Sequence, residues 1–360
     1  MIQESGYCSR RPSCWDVEIP DGADVVDFVI PPACRTAGVL LAVTLVLTVL
    51  TGCGTPRTEA ASDTAPQQAG FPVSVDNCGR QVIVKTPPKR AVGYYQQSVE
   101  LLLALGLRDS IAATVYPDNP PLPQYAEAYR SIPQLSAKDA SFEQVLSTDP
   151  DFVYGGYSST FDETTGRSRK AFADAGIATY LNPEYCAKKP IMMDDVYSEI
   201  RRIGEFFGVA DRAQALITDM QRSVSGAQER VSGVKRLKAF VYDSGDDTAF
   251  TAGRQGIGNQ IIQLAGGTNV FGDLNDTFAD VSWEQVLQRN PDVIVIYDYF
   301  GTPSVEEKKA FLRGKPELAN VPAIRNDEFA VLTLQDAVLG VRAPFAVEAL
   351  ARQLHPDRFQ

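Results

Sequence analysis

Two passages with the same grammar stand on either side of one long helical stretch, and that duplication limits the folds open to the chain. Ser141-Phe142-Glu143-Gln144-Val145-Leu146 is followed, after two residues, by Asp149-Pro150-Asp151-Phe152-Val153. Ser282-Trp283-Glu284-Gln285-Val286-Leu287 is followed, again after two, by Asn290-Pro291-Asp292-Val293-Ile294. Each copy reads as a serine-capped short helix stopped before a proline, then a buried strand. Between the copies, residues 211–232 place Ala213, Leu216, Ile217, Met220, Val224, Ala227 and Val231 on one stripe at helical spacing. Asp211 is expected to cap that helix and Gly233 to supply the left-handed turn that ends it. Such a helix spans roughly 30 Å, about the width of a small domain. The expectation is an α/β protein of two similarly built lobes, residues 71–210 and 233–360, joined by the helix 211–232.

The remaining periodicities agree. Val73-x-Val75 and Val82-x-Val84 alternate around Asn77-Cys78-Gly79-Arg80, a hairpin signal. Short apolar runs at 91–95, 111–115, 152–154 and 177–180 read as strands, as do 237–242, 293–297 and 329–332. Helical patterns separate them, at 97–105, 190–207, 257–265, 283–288 and 344–354. Strands alternating with helices imply parallel sheets with crossover connections.

Charge and composition remove several function classes. The net charge of −11, with no basic cluster, argues against a nucleic-acid surface. A single histidine, His355, excludes a site built on several imidazoles and makes a Ser-His-Asp arrangement or a bare metal-ion cage a poor fit. Residues 1–34 lack periodicity and precede what looks like an export signal, which suggests an upstream start-site error or a long leader. Ala37 to Leu50 is an apolar or small-residue run of signal-peptide length, short for a membrane span. It ends in Leu50-Thr51-Gly52-Cys53, which resembles a bacterial lipobox with Cys53 as the lipidated first mature residue; a plain transmembrane anchor is the alternative. Residues 53–70, rich in Ala, Thr, Pro and Gln, are expected to form a flexible tether reaching roughly 20–25 Å. Cys78 and Cys186 are the cysteines left for the folded part, and export permits them to pair, the alternative being two buried thiols. Gly253, Gly256 and Gly258 fit neither the Walker nor the dinucleotide spacing and read as a close turn.

A family resemblance rests on these residues together. Cys78-Gly79-Arg80 with Pro87-Pro88-x-Arg90 precedes the first lobe strand, and Glu100-Leu101-Leu102-x-Ala104-Leu105-Gly106 follows it. The repeated Ser-aromatic-Glu-Gln-Val-Leu pair adds to this, as do Gly258-Asn259 and Ala265-Gly266-Gly267-x-Asn269-Val270-Phe271. Over residues 71–356 the chain resembles the iron-siderophore and vitamin-B12 family of ABC-transporter substrate-binding lipoproteins. The resemblance implies a ligand cleft between the lobes, a rigid joining helix with little hinge motion, and no enzymatic activity. It implies a ferric siderophore as ligand, no cofactor or resident metal, and an extracytoplasmic lipid-anchored monomer. Its partner would be an ABC permease dimer with ATPase subunits, docked through one glutamate on each lobe, here Glu143 and Glu284. Cobalamin or haem in the same fold is the first alternative, then bare metal-ion binding, then a hydrolase using paired carboxylates such as Asp243 and Asp298.

Ligands of open α/β sheets bind beyond the carboxyl ends of the strands. That rule nominates Tyr94, Tyr95, Gln96, Tyr116, Tyr154, Tyr157 and Ser158 from the first lobe. From the second it nominates Tyr242, Asp243, Tyr297 and Tyr299, with Arg254 and Arg342 on nearby loops. Tyrosines offer stacking faces and a polar tip at low entropy cost, which suits a bulky chelate. Asp243, Asp246, Asp247 and Asp298 outnumber the two arginines, so a hydroxamate chelate is expected over a trianionic catecholate.

Overall fold

The computed structural model of the chain describes residues 69–360, which lie within one compact unit, Thr64–Gln360. The expectations for the leader, Cys53 and most of the tether lie outside the described residues. The described part opens with a hairpin of β1 (Val73–Asn77) and β2 (Arg80–Val84), paired antiparallel. Its two turn residues, Cys78 and Gly79, both have positive φ, 58° and 75°, as a two-residue hairpin turn of matching twist requires. Cys78 is joined to Cys186 by a disulfide, with Cα atoms 5.5 Å apart.

The first sheet holds β3 (Ala91–Tyr94), β4 (Ile111–Val115), β5 (Gln134–Ser136), β6 (Phe152–Gly155) and β7 (Ala178–Leu181) in the order β5-β4-β3-β6-β7, all parallel. The second holds β8 (Leu237–Tyr242), β10 (Gly267–Asn269), β12 (Val293–Asp298) and β13 (Phe329–Thr333) in the order β10-β8-β12-β13, also parallel. Beside it β9 (Ala249–Ala252) pairs antiparallel with β11 (Phe278–Val281). Each parallel sheet is covered on both faces, and successive residues alternate between two cores. In β12, Val293, Val295 and Tyr297 enter one cluster while Ile294 and Ile296 enter another.

The two matched passages occupy equivalent places. Ser141 and Ser282 each accept a hydrogen bond from the glutamine three residues on, whose side chain bonds back to the serine N–H. Asn290 caps its helix in the left-handed region at φ 50°, and Asp149, two residues beyond the Ser147 cap of the other copy, adopts the same region at φ 49°. Asp151 then accepts from the Lys89 and Arg90 N–H groups before β3, and Asp292 from the Lys238 N–H in β8. Thus β6 and β12 stand beside β3 and β8 through the same side-chain clasp. In both sheets the strand order reverses at the same member, β3 in one and β8 in the other, which marks their carboxyl ends as ligand positions.

The joining helix runs Ala210–Arg230 and packs against the helices Met193–Phe206 and Ala343–Leu354. Ala213, Ile217, Met220, Val224 and Ala227 are its buried residues. Val209, not Asp211, is the cap residue, and it makes no side-chain cap bond; Asp211 sits in the first turn, where its charge complements the helix dipole. Gly233 adopts φ 72° just past the end. Through this helix one apolar cluster continues from Leu101, Phe152 and Ile200 to Val241, Val295 and Leu350, so the two lobes share a core.

Candidate functional site

Residues just beyond the carboxyl ends of both sheets meet across the seam between the lobes. Tyr95 follows β3 with φ 67° and Tyr116 follows β4 with φ 55°. Non-glycine residues pay on the order of 1–3 kcal/mol for that conformation and hold it only where the surroundings demand it. Here it turns two adjacent strand ends so that their rings meet, with centroids 5.0 Å apart. Tyr157 stands edge-on to Tyr95 at 4.5 Å, and Tyr185 lies 5.0 Å from Tyr157. The Tyr95 hydroxyl shares a hydrogen bond of 2.7 Å with Ser159. Four tyrosines thus form one aromatic wall. Tyr185 was not anticipated: it sits in the one-turn helix Pro183–Cys186 beyond β7, where no sequence period marks it.

Polar groups line the same seam. Asp118, just past β4, accepts from the Gln96 N–H at 3.3 Å and from Gln335 Nε2 of the other lobe at 2.5 Å. Gln335 Nε2 also reaches the Tyr157 hydroxyl at 3.3 Å. Burial pushes the Asp118 carboxyl up to about 6. Glu184 is buried on the first lobe and accepts two N–H groups of the second, Ile257 at 3.2 Å and Leu339 at 2.6 Å. Burial pushes it up to about 7. Asn182 Nδ2 donates to Leu339 O at 2.8 Å beside it. Sequence reasoning missed Asp118, Glu184 and Gln335, because a lone polar residue in a loop or one-turn helix has no period and its partners in the other lobe lie 73, 155 and 217 residues away.

Several nominated residues are placed elsewhere. Tyr94 is buried in the outer core of the first lobe, with the Arg167 guanidinium 5.9 Å from its ring. Tyr154 is buried and donates to Glu199, which also accepts from Tyr180 at 2.8 Å. Tyr242 is buried against Trp283 and stacked on Phe311. The cause is common to the three: side chains alternate along a strand, so a tyrosine inside the ladder turns into a core, and only those past the last ladder residue reach the seam. Arg342, also nominated, is engaged inside the fold. It is buried and clasps Glu100 through Nε at 2.7 Å and Nη2 at 2.6 Å, with a further bond to Pro120 O at 2.8 Å. Glu100, fully buried, also accepts from Gln96 Nε2 at 3.0 Å and Leu122 N at 2.8 Å.

The other nominated residues sit nearer the surface or the seam. Gln96 begins the helix Gln96–Ala104, and Ser158 is exposed at the start of a short 3-10 turn. Tyr299 is half-buried and donates to Asp243 at 2.7 Å; burial raises the Asp243 carboxyl. Lys308 lies behind them, its Nζ 2.5 Å from Tyr297 O and 5.1 Å from the Tyr299 ring centroid. Tyr297 is buried, and its hydroxyl lies where a side chain on Gly258 would begin, 2.4 Å from an added Cβ. Arg254 is exposed and bonded to Asn275 at 2.7 and 3.0 Å. Gly253 approaches the backbone of residue 276 so closely that a Cβ would stand 2.3 Å from its carbonyl oxygen. Gly253 therefore serves a close backbone passage, while Gly256 and Gly258 make room for the side chains of Thr277 and Tyr297.

Outside the seam, Glu143 and Glu284 are exposed in the first turns of the matched helices. Their carboxyls are held below the usual range, that of Glu143 by its own backbone N–H and the Ser141 hydroxyl, that of Glu284 by the Ser282 hydroxyl and its own N–H. Among the described residues no three potential metal ligands converge.

Residues 92–335 match the family model described as periplasmic binding protein. The chain is 25% identical over 332 residues to an uncharacterized ABC transporter substrate-binding lipoprotein, YvrC, of Bacillus subtilis, covering 91% of this chain and 99% of that one. It is 24% identical over 216 residues to the vitamin B12-binding protein of Pectobacterium atrosepticum, covering 58% of this chain and 71% of the relative. A solved structure from Saccharomonospora viridis, described as an ABC-type Fe3+-hydroxamate transport system, superposes with a TM-score of 0.69 at 25% identity, over 79% of this chain and 99% of that one.

Proposed function

The chain belongs to the periplasmic binding protein family, and on that premise we propose that it captures a ferric siderophore outside the cytoplasm and delivers it to an ABC permease. The lobes are assigned to residues 71–210 and 233–360, with the ligand between them at the tyrosine wall. A hydroxamate-type chelate is favoured over a catecholate. The observation that carries this is charge: Glu100, Asp118 and Asp336 surround the Arg342 guanidinium, leaving the seam with more carboxylates than cations. A trianionic tris-catecholate would be repelled there, whereas a neutral or cationic hydroxamate would not. The Saccharomonospora viridis neighbour, described as an Fe3+-hydroxamate transport system, supports the same chelate class. The vitamin B12-binding relative favours cobalamin as the second reading. Cys53 is proposed as the lipidated residue that anchors the mature protein, with residues 53–70 as tether.

Native mass spectrometry of the purified protein with a ferric trihydroxamate, a ferric tris-catecholate, cobalamin and haem tests the ligand. Retention of the intact hydroxamate is expected. Preferential retention of any of the other three overturns the chelate assignment. In cells, Cys53→Ala is expected to abolish lipid labelling and release or misprocess the protein. Unchanged anchoring in that variant would refute the lipobox.

A further inference from the structure

The seam is short of a cation, and its unmet polar groups share one sign. The field of the Arg342 guanidinium reaches Asp118, but its Nε–Nη2 edge is already used on Glu100. Asp118 itself forms no ion pair among the described residues; its two oxygens have an amide N–H and a glutamine NH2 as partners. The amides around it point their nitrogens at protein acceptors. Gln96 Nε2 is on Glu100, Gln335 Nε2 on Asp118 and Tyr157, and Gln97 Nε2 on Gly156 O at 3.1 Å. Those bonds fix which way each amide is turned, because only a nitrogen can donate to a carboxylate or a carbonyl. The three side chains are 0%, 1% and 4% exposed respectively, and the oxygen of each has no partner. The buried groups beside Asp118 are thus acceptors to spare, with no free donor to offset its charge.

The walls suit a charged donor. The field of Asp118 extends over Tyr95, Tyr157 and Tyr185, three members of the aromatic wall, and Tyr116 stands two residues before it. Ring faces attract a cation through their quadrupole, most strongly where water is excluded. A half-buried carboxylate with no ion pair among the described residues, beside tyrosine faces, is therefore a site for an ammonium group.

We propose that the ligand carries a protonated amine and that Asp118 holds it against the wall of Tyr95, Tyr116, Tyr157 and Tyr185. This rests on the ferric-hydroxamate reading for the rest of the ligand, and it selects within that class the chelates with a free terminal amine. Burial already holds the Asp118 carboxyl up at about 6, the behaviour of an acid whose counter-ion is too far away. Glu100, Arg342 and Asp336 are the charged groups facing it, with the hydroxyls of Tyr129 and Tyr157.

The test compares two ligands on the full-length protein: a linear ferric trihydroxamate with a free terminal amine and the same chelate with that amine acetylated. The iron centre is identical and only the end charge differs. Titrated by intrinsic fluorescence at pH 7.5, the amine form is expected to bind at least tenfold more tightly. Its advantage should shrink toward pH 5 as Asp118 protonates, and collapse to about one in Asp118→Asn. Equal affinities in the native protein, which needs no variant to fold, overturn the proposal. A preference that survives Asp118→Asn, in protein whose melting temperature is unchanged, does the same. If neither chelate binds, the hydroxamate reading fails by itself. Titration with n-pentylammonium chloride then decides the ammonium site: saturable binding lost in Asp118→Asn upholds it, and absence of binding overturns it.

Discussion

Two buried carboxyls show how single residues write pH dependence into this protein. Glu199 lies between the hydroxyls of Tyr154 and Tyr180, and Glu184 under two N–H groups of the opposite lobe. Burial pushes both up to about 7 from an ordinary 4.5. Between those values the folded protein holds more protons than the unfolded chain, so stability is full below pH 4.5 and declines as pH rises through 7. Each group accounts for on the order of 3 kcal/mol of that decline. The melting temperature should therefore fall between pH 5 and 8, and in Glu199→Gln, which keeps one acceptor and one donor for the tyrosines, it should fall less. A variant with the native slope would show that Glu199 is not among the groups responsible. Tyr154 belongs to this account through its hydrogen bond to Glu199. In the sequence it looks like every other strand-end tyrosine, and only the packing of helix Met193–Phe206 above β6 gives it a partner.

At the scale of elements, the joining helix carries the stripe that its spacing announces, yet its neighbours were not predictable from that stripe. A helix shows that it has one apolar face, not which surfaces will cover it. Here the covers are a helix from each side of the chain, which merges two lobe interiors into one. Ile217 is 1% exposed at the centre of that merger. Ile217→Ala should cost about 2–4 kcal/mol by the lost transfer energy and the cavity it leaves. Because the core is shared, the loss should appear in both lobes at once. Urea unfolding followed by Trp283 fluorescence in the second lobe and by a spin label on the first should give coincident transitions, both shifted. If only one transition moves, the lobes unfold independently and the shared core is energetically minor.

At the scale of the molecule, the duplication points outward as well as inward. Glu143 and Glu284 occupy one exposed position in each copy, engaged only by their own helix starts. One acid on each lobe suits a partner made of two like subunits, and acids that stay solvated until docking orient a complex more than they stabilise a fold. We propose them as the permease contacts. Glu143→Ala combined with Glu284→Ala should leave melting temperature and chelate affinity close to native while uptake through the cognate permease collapses. Persistent uptake, or loss of chelate binding in its place, would refute the docking role.

The repeat, the stripe of the joining helix and the alternation of strands with helices are local patterns, and the sequence alone determined them. They follow from side-chain period, capping chemistry and where proline and glycine stop an element. Tyr95, Tyr116 and Tyr157 were legible for the same reason, since they follow strand ends. What tertiary structure alone decided is the polar seam. Asp118 meets Gln335, Glu184 meets Leu339 and Glu100 meets Arg342 only because two sheets far apart in the chain face each other at their carboxyl ends. Contacts of that range leave no period in the sequence. Whether a charged residue faces a ligand or is neutralised inside the fold, as Arg342 is by Glu100, depends on a partner 242 positions away.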